Sequence, residues 1–304
     1  MRIHVVFSAL CLICLACSAA DPVTQPSGQS PVISPEIPVS LSFAGEPVPL
    51  QRADVFESYE RELIVNTYLH SNTVQCIKRS ARFFPVIEPI LAENNIPDDF
   101  KYLCVIESDL IQKVSPAGAA GFWQIMRSTA VEGGMEVNDE VDERYDLEKA
   151  TRFACTYFRT AYEQFGSWTM AAAAYNMGRN GAAKQVGLQQ TARYYDLLLN
   201  DETARYVYRI LAIKTIFEHP ERYGFLIADD EKYAPIPCRE IEVRSSIGDL
   251  VQFAIDHQIN YKILKWLNPW LRDSRLTVRS GKHYRIKLPK KGMHSLFSTD
   301  ADVR

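Results

Sequence analysis

The body of this 304-residue chain contains no Cys-x-x-Cys pair, no Gly-x-Ser-x-Gly elbow, no Walker loop and no dinucleotide fingerprint. In turn these absences leave a thiolate zinc site, a hydrolase serine, a nucleotide phosphate cradle and a nicotinamide fold without local support, and no cofactor or metal is expected. The six histidines (His4, His70, His219, His257, His283 and His294) are scattered, and none is placed as an evident base. Net charge is scarce as well. Lys and Arg number 34 against 37 Asp and Glu, a balance of −3 that argues against non-specific nucleic-acid binding. The apolar run Val5 to Ala16 is shorter than the roughly 20 residues that a helix needs to cross a bilayer.

A hydrophobic share of 47% describes a folded chain, and its length allows one fair-sized domain or two small ones. The charge is uneven: Arg239 to Lys291 carries 12 Lys/Arg against 5 Asp/Glu, so the remainder is acidic. Residues 1–20 read as a secretory signal, with Arg2, the apolar run and then small residues. Two cleavage readings stand: Ser18-Ala19-Ala20 suits an ordinary peptidase, while Leu15-Ala16-Cys17-Ser18 suits lipidation at Cys17 despite Cys14 where Leu is usual. The lipoprotein reading is preferred because residues 21–54 look like a tether. Asp21 to Leu50 holds seven of the sixteen prolines and no Lys or Arg, so it should stay extended and solvated. Cys76, Cys104, Cys155 and Cys238 fit either one or two disulfides or free thiols.

From Val55 onward apolar residues recur at helical spacing. The pattern predicts helices around Tyr59 to Leu69, Phe83 to Glu93, Asp98 to Glu107, Leu147 to Phe165, Ser167 to Asn176 and Glu202 to Glu218, punctuated by Gly118, Gly121, Gly166, Gly178 and Gly181. The basic end reads as strand Arg239 to Arg244, helices Ile247 to His257 and Tyr261 to Leu267, and strand His283 to Leu288. The fold class is therefore mainly α, a helical domain at 55–228 followed by a small β-α-α-β module at 239–291. Residues 229–238, with Pro235 and Pro237, form the expected linker, and 292–304 a tail.

With so little else to do chemistry, carboxylates remain. Glu107 ends the apolar run Tyr102-Leu103-Cys104-Val105-Ile106, so it should emerge beside a core helix, where burial raises its pKa toward that of a general acid. Asp109, two positions on, points elsewhere on a helix. An ordinary glycosidase needs two carboxyls about 5 to 9.5 Å apart, and local sequence supplies one. Ser115-Pro116-Ala117-Gly118-Ala119-Ala120-Gly121-Phe122-Trp123-Gln124-Ile125-Met126 then places small residues, for close backbone approach, before aromatics and an amide suited to sugar rings.

Glu107-Ser108, this Ser115 to Met126 stretch, Ala174-Tyr175-Asn176 and Tyr206 within Glu202 to Val207, in that order, resemble the lytic murein transglycosylases of the soluble-lytic-transglycosylase type, nearest their membrane-bound branch. The resemblance covers roughly Val55 to Phe225. It implies a goose-lysozyme-like, lysozyme-like helical domain and non-hydrolytic cleavage of the MurNAc-GlcNAc β-1,4 bond of peptidoglycan glycan strands, leaving 1,6-anhydromuramoyl ends. By the same resemblance Glu107 is the single acid/base, and Ser108, Ser115, Gln124, Met126, Tyr175, Asn176 and Tyr206 bind substrate. Arg127 and Cys104 stand where proline is usual, which bears on loop rigidity rather than on a reacting group. The C-terminal module resembles a degenerate lysin motif through Leu264 to Pro269 and Ser280-Gly281-x-x-Tyr284-x-Ile286, with Ser245-Ser246-Ile247 in place of its Gly-Asp-Thr element. Its positive charge suits peptide-stem carboxylates, an anionic membrane surface or mere solvation. A hydrolytic muramidase on the same fold and a non-catalytic wall-binding lipoprotein are the alternatives. Either way the expected location is the cell envelope, exported and facing the periplasm, anchored to the membrane through a lipid.

Overall fold

The computed structural model describes residues 33–293. The signal, Cys17, the first dozen residues of the proline-rich tether and the tail from residue 294 lie outside the described residues. Residues 35–293 form one compact unit. Two short strands, β1 (Ser42–Phe43) and β2 (Glu46–Pro47), form a hairpin. Eight helices follow: α1 (Ala53–Tyr68), α2 (His70–Glu93), α3 (Phe100–Ser108), α4 (Arg127–Glu132), α5 (Leu147–Phe165), α6 (Trp168–Met177), α7 (Arg179–Gln189) and α8 (Asp201–Glu218). The C-terminal module is β3 (Cys238–Val243), α9 (Leu250–Asp256), α10 (Tyr261–Leu267) and β4 (Tyr284–Pro289). β3 and β4 pair antiparallel, with Ile241 opposite Ile286. The predicted mainly helical body and β-α-α-β module are both present, and no helix among the described residues is long and apolar enough to cross a membrane.

Helix α3 is short and almost wholly buried from Tyr102 to Val105, which makes it the axis of the main core with Phe158, Trp123, Leu211 and Tyr59 around it. Asp109 adopts a left-handed conformation (φ 52°) and ends the helix one residue after Ser108. α2 runs through Pro85 and Pro89, beyond the predicted Phe83 to Glu93. Its interior prolines forgo two backbone donors, a cost that burial of Ile77, Ile87, Ile90 and Leu91 offsets. α7 is the largest miss: Gly178 and Gly181 read as turn signals, yet Gly181 lies inside a helix. Packing of Ala182 into the core outweighs that local preference.

The segment expected to be a solvated tether is structured from residue 35. Phe43 is fully buried against Phe100, their ring centroids 5.2 Å apart. Buried Lys214 ties this hairpin down, donating to the Ser42 carbonyl (2.9 Å) and Asp99 (2.6 Å), while Asp99 also accepts the Ala44 N–H (2.7 Å). Glu46 lies across the start of α6, accepting from the backbone N–H of Trp168 (2.5 Å) and Thr169 (2.9 Å) and the hydroxyls of Ser167 and Thr169. A carboxylate there satisfies orphan donors and favours the helix dipole. Composition failed here because four prolines between residues 35 and 50 exclude regular helix without excluding packing.

The 229–238 segment is hydrogen-bonded to both of its neighbours: the Tyr233 N–H donates to Lys78 O (3.0 Å), Arg82 donates to Ala234 O (3.0 Å), and the Lys290 N–H donates to Pro237 O (2.9 Å). Asp249 caps α9 by accepting from the Val251 and Gln252 N–H groups. All four cysteines of the body are free thiols, three of them buried.

Candidate active site

Glu107 projects from the last turn of α3 and meets α8, where the Tyr206 hydroxyl donates to its Oε1. The side chain is partly exposed, yet its carboxyl is set among buried groups, and this burial pushes its pKa up from 4.5 to about 7. The Tyr206 hydrogen bond and the positive charge of Arg209 pull the other way, and Glu202 adds to the rise. Arg209 is fixed by a bond from Nη2 to the Ile106 carbonyl (3.2 Å). Tyr206 is buried and its own pKa is raised, first by burial and then by the Glu107 charge. The phenol therefore stays protonated and keeps donating.

Tyr175, on α6, is electrostatically coupled to Glu107 as well, and its hydroxyl donates to the Trp123 carbonyl at 2.6 Å. That bond fastens α6 to the loop carrying Gln124. The next residue, Asn176, faces the start of α8: its amide donates to Glu202 (3.2 Å) and its oxygen accepts from the Thr203 hydroxyl (2.8 Å). Trp123 is fully buried with its indole N–H on Thr151, so it anchors the loop and offers no ring face to a sugar.

The loop itself is held by its own polar atoms. Ser115 Oγ accepts the Ala119 N–H at 3.0 Å, which leaves the hydroxyl proton available to a ligand. Gln124 sits at φ 47° and spends its amide nitrogen on the carbonyls of Lys113 (3.1 Å) and Gly121 (2.8 Å). Its amide oxygen has the acceptor role left. Met126 is 41% exposed and presents a flexible apolar surface beside it. Gly121 is required sterically: it has φ 80°, and a Cβ there would sit 2.0 Å from the Arg144 carbonyl oxygen.

Ser108 does not fit the role expected of it. It is fully buried, its hydroxyl bonded back to Cys104 O at 3.2 Å, so it packs the helix and does not reach a ligand. Asp109 is committed to Asn72 Nδ2 (3.0 Å) and to Lys113, away from Glu107. Sequence reasoning missed Arg209; its i, i+3 spacing from Tyr206 on one helix face was the available signal. It also missed the buried pair Asp142 and Arg144, which no local pattern marked.

Two cavities adjoin these residues. One, of about 710 Å³, is lined by Ile106, Asp109, Glu202, Arg205 and Arg209. The other, of about 590 Å³, includes Gly133, Phe153, Tyr157 and Arg179, and its Tyr157 ring meets Tyr175 edge-on at 5.2 Å. Glu107 lines neither wall.

Residues 85–198 match the family model described as the transglycosylase SLT domain. Residues 239–292 match the one described as the soluble lytic transglycosylase C-terminal LysM-like domain. Over 242 residues the chain is 28% identical to the membrane-bound lytic murein transglycosylase D of Escherichia coli K12, covering 77% of this chain and 51% of that protein. The same figures hold for its counterpart in Escherichia coli O6:H1. The chain thus spans about half the length of the curated relatives it matches. Among solved structures, the 70 kDa soluble lytic transglycosylase of Escherichia coli aligns over 58% of this chain and 33% of its own at 19% identity and a TM-score of 0.41. An inactive mutant of the lytic transglycosylase Slt of Pseudomonas aeruginosa aligns over 61% and 36% at 18% identity and a TM-score of 0.39.

Proposed function

We propose that this chain, which carries a transglycosylase SLT domain followed by a LysM-like domain, cleaves the MurNAc-GlcNAc β-1,4 bond of peptidoglycan without water and leaves 1,6-anhydromuramoyl ends. The observation that carries the reading is a Glu107 carboxyl held at a pKa of about 7 by burial. A group poised there gives a proton readily and takes one back readily within one turnover.

In this mechanism Glu107 first protonates the leaving glycosidic oxygen. As the carboxylate it then removes the proton from the C6 hydroxyl of the same muramoyl sugar, which attacks its own C1 with help from the 2-acetamido group. The nucleophile is intramolecular, so effective molarity replaces a second enzyme carboxyl. Supporting a single-carboxyl scheme, Asp109 is engaged by Asn72 and Lys113, and Glu202 by Asn176. Tyr206 orients Glu107 and stabilises its charged form, Ser115 and Gln124 offer a donor and an acceptor for the acetamido and hydroxyl groups, and Met126 and Tyr175 line the approach. The homologue's name supports an envelope location, reached through export and lipidation at Cys17.

Mass spectrometry of the ends released from purified sacculi tests this. Anhydro ends, absent from digests by Glu107→Gln protein, are expected. A predominance of hydrolysed muramic ends would establish the muramidase alternative instead.

A further inference from the structure

Three basic side chains of the C-terminal module are paired with acids of the helical domain. Lys282 pairs with Glu136 (2.9 Å), Arg275 with Glu140 (2.9 Å) and Lys287 with Glu148 (2.5 Å), all three acids lying between residues 136 and 148. Glu140 also accepts from the Thr277 N–H (2.7 Å) and hydroxyl (3.1 Å), and Glu136 from the Tyr284 hydroxyl (3.0 Å). Backbone joins backbone in the same place: the Asp142 N–H donates to Trp270 O (2.9 Å), the Arg272 N–H to Glu140 O (2.8 Å), and Val141 bridges Leu271. The Arg272 guanidinium lies 4.2 Å from the centre of the Tyr145 ring. Ala120, Val141 and Tyr145 complete the hydrophobic core of the module, which otherwise consists of residues such as Leu250, Leu264, Leu271 and Ile286. A flexibly attached binding unit shares neither core nor backbone ladder with its neighbour.

The other face of the 136–146 segment grips the site loop. Asp142 and Arg144 are both buried and paired at 2.7 Å. The Arg144 guanidinium donates to the carbonyls of Gly118 (3.0 Å) and Ile125 (3.2 Å), one before and one after the turn that carries Phe122 to Gln124. Gly121 packs on the Arg144 backbone, and Gln112 donates to Tyr145 O (3.0 Å). Asp142 thus receives the module through its N–H and holds Arg144 through its carboxylate.

We propose that the LysM-like module is a clamp that sets the conformation of the 115–126 loop, with Glu140, Asp142 and Arg144 as positioning residues, so that the module acts on turnover of substrates too short to touch it. The turnover arm of the test rests on the function proposed above; the exchange arm does not.

Full-length Glu140→Lys, Arg275→Glu and the double reversal are compared by amide hydrogen exchange, and by cleavage of peptide-free glycan fragments a few sugars long. In either single variant the Ala119, Ala120 and Ile125 amides exchange faster and kcat/KM falls by about tenfold, the scale of one lost charged hydrogen-bond partner, and the double reversal recovers both. Because Glu107 is held by α3 and α8, its pH limb stays in place, a readout that general unfolding would move. Arg275→Gln with Thr277→Val, which loosens the clamp from the module side alone, gives the same result should Glu140→Lys fail to fold. Loop amides that keep the parent rate while those of Asp142 and Arg272 exchange faster would overturn the clamp. Parent protein that cleaves no glycan, with the loop amides responding as described, would sink the function and leave the clamp standing.

Discussion

The Tyr206 hydroxyl, on α8, donates to Oε1 of Glu107, at the end of α3 and 99 positions earlier in the chain. This contact tempers the charge state of the proposed acid. It favours the carboxylate, partly countering the burial that raises the Glu107 pKa to about 7.

A pH profile follows from that balance. Glu107 must enter turnover protonated, so kcat/KM declines above about pH 7 as the acid form is depleted. Tyr206→Phe removes a donor that stabilises the carboxylate, so the pKa rises further and the descending limb moves to higher pH. Arg209→Gln shifts it the same way by removing a positive charge. Rate against pH on soluble glycan reads both, and a limb that moves down in pH refutes the assignment.

Replacing the carboxyl itself separates chemistry from folding. Glu107→Gln is expected to lower turnover by roughly 10²- to 10⁴-fold with binding retained, as single-turnover cleavage and sacculus pull-down will report.

The same residue links stability to pH. Its folded pKa of about 7 exceeds the unfolded 4.5, so its contribution is fully present below pH 4.5 and is lost as pH rises through 7. The loss is at most about 3.5 kcal/mol, from about 1.4 kcal/mol per pH unit. Glu107→Gln protein should therefore melt with the parent at pH 4 and above it at pH 8.5; calorimetry at the two values checks this.

Two neighbouring glycines should respond unequally to alanine. Gly118 (φ 86°) has open space where a Cβ would go, so Gly118→Ala costs only left-handed strain, about 1 kcal/mol. Gly121→Ala drives a Cβ into the Arg144 carbonyl and should cost ~3 kcal/mol through forced backbone movement. Urea unfolding of the pair measures the difference.

At the N-terminal hairpin, Glu46→Ala strips the first turn of α6 of its carboxylate acceptor. A loss of about 1–2 kcal/mol in urea unfolding is expected, with thermal melting falling in step, although Glu46 lies far along the sequence from Glu107.

What the sequence determined by itself is local and periodic. The 3.6-residue spacing gave α5 its bounds, Leu147–Phe165, and α10 its bounds, Tyr261–Leu267, because apolar recurrence and capping are properties of neighbouring residues. An acid at the end of the apolar run before Glu107, and the small-residue stretch to Met126, were legible for the same reason. Tertiary structure decided what depends on partners far along the chain. Whether Glu107 is buried enough to hold a proton is settled by how far the fold desolvates its carboxyl, against the opposing pull of Tyr206 and Arg209, and whether Ser108 faces outward by the packing of α3. That prolines 35 to 49 precede or join a packed hairpin rather than a tether depends on Lys214 and Asp99, a pair 115 residues apart. The charge segregation was visible in composition, but that the basic module meets the acids at 136–148 required a fold to bring them within hydrogen-bond distance. Short-range pattern specifies elements; desolvation and charge pairing act through space, and only the assembled core fixes which groups they reach.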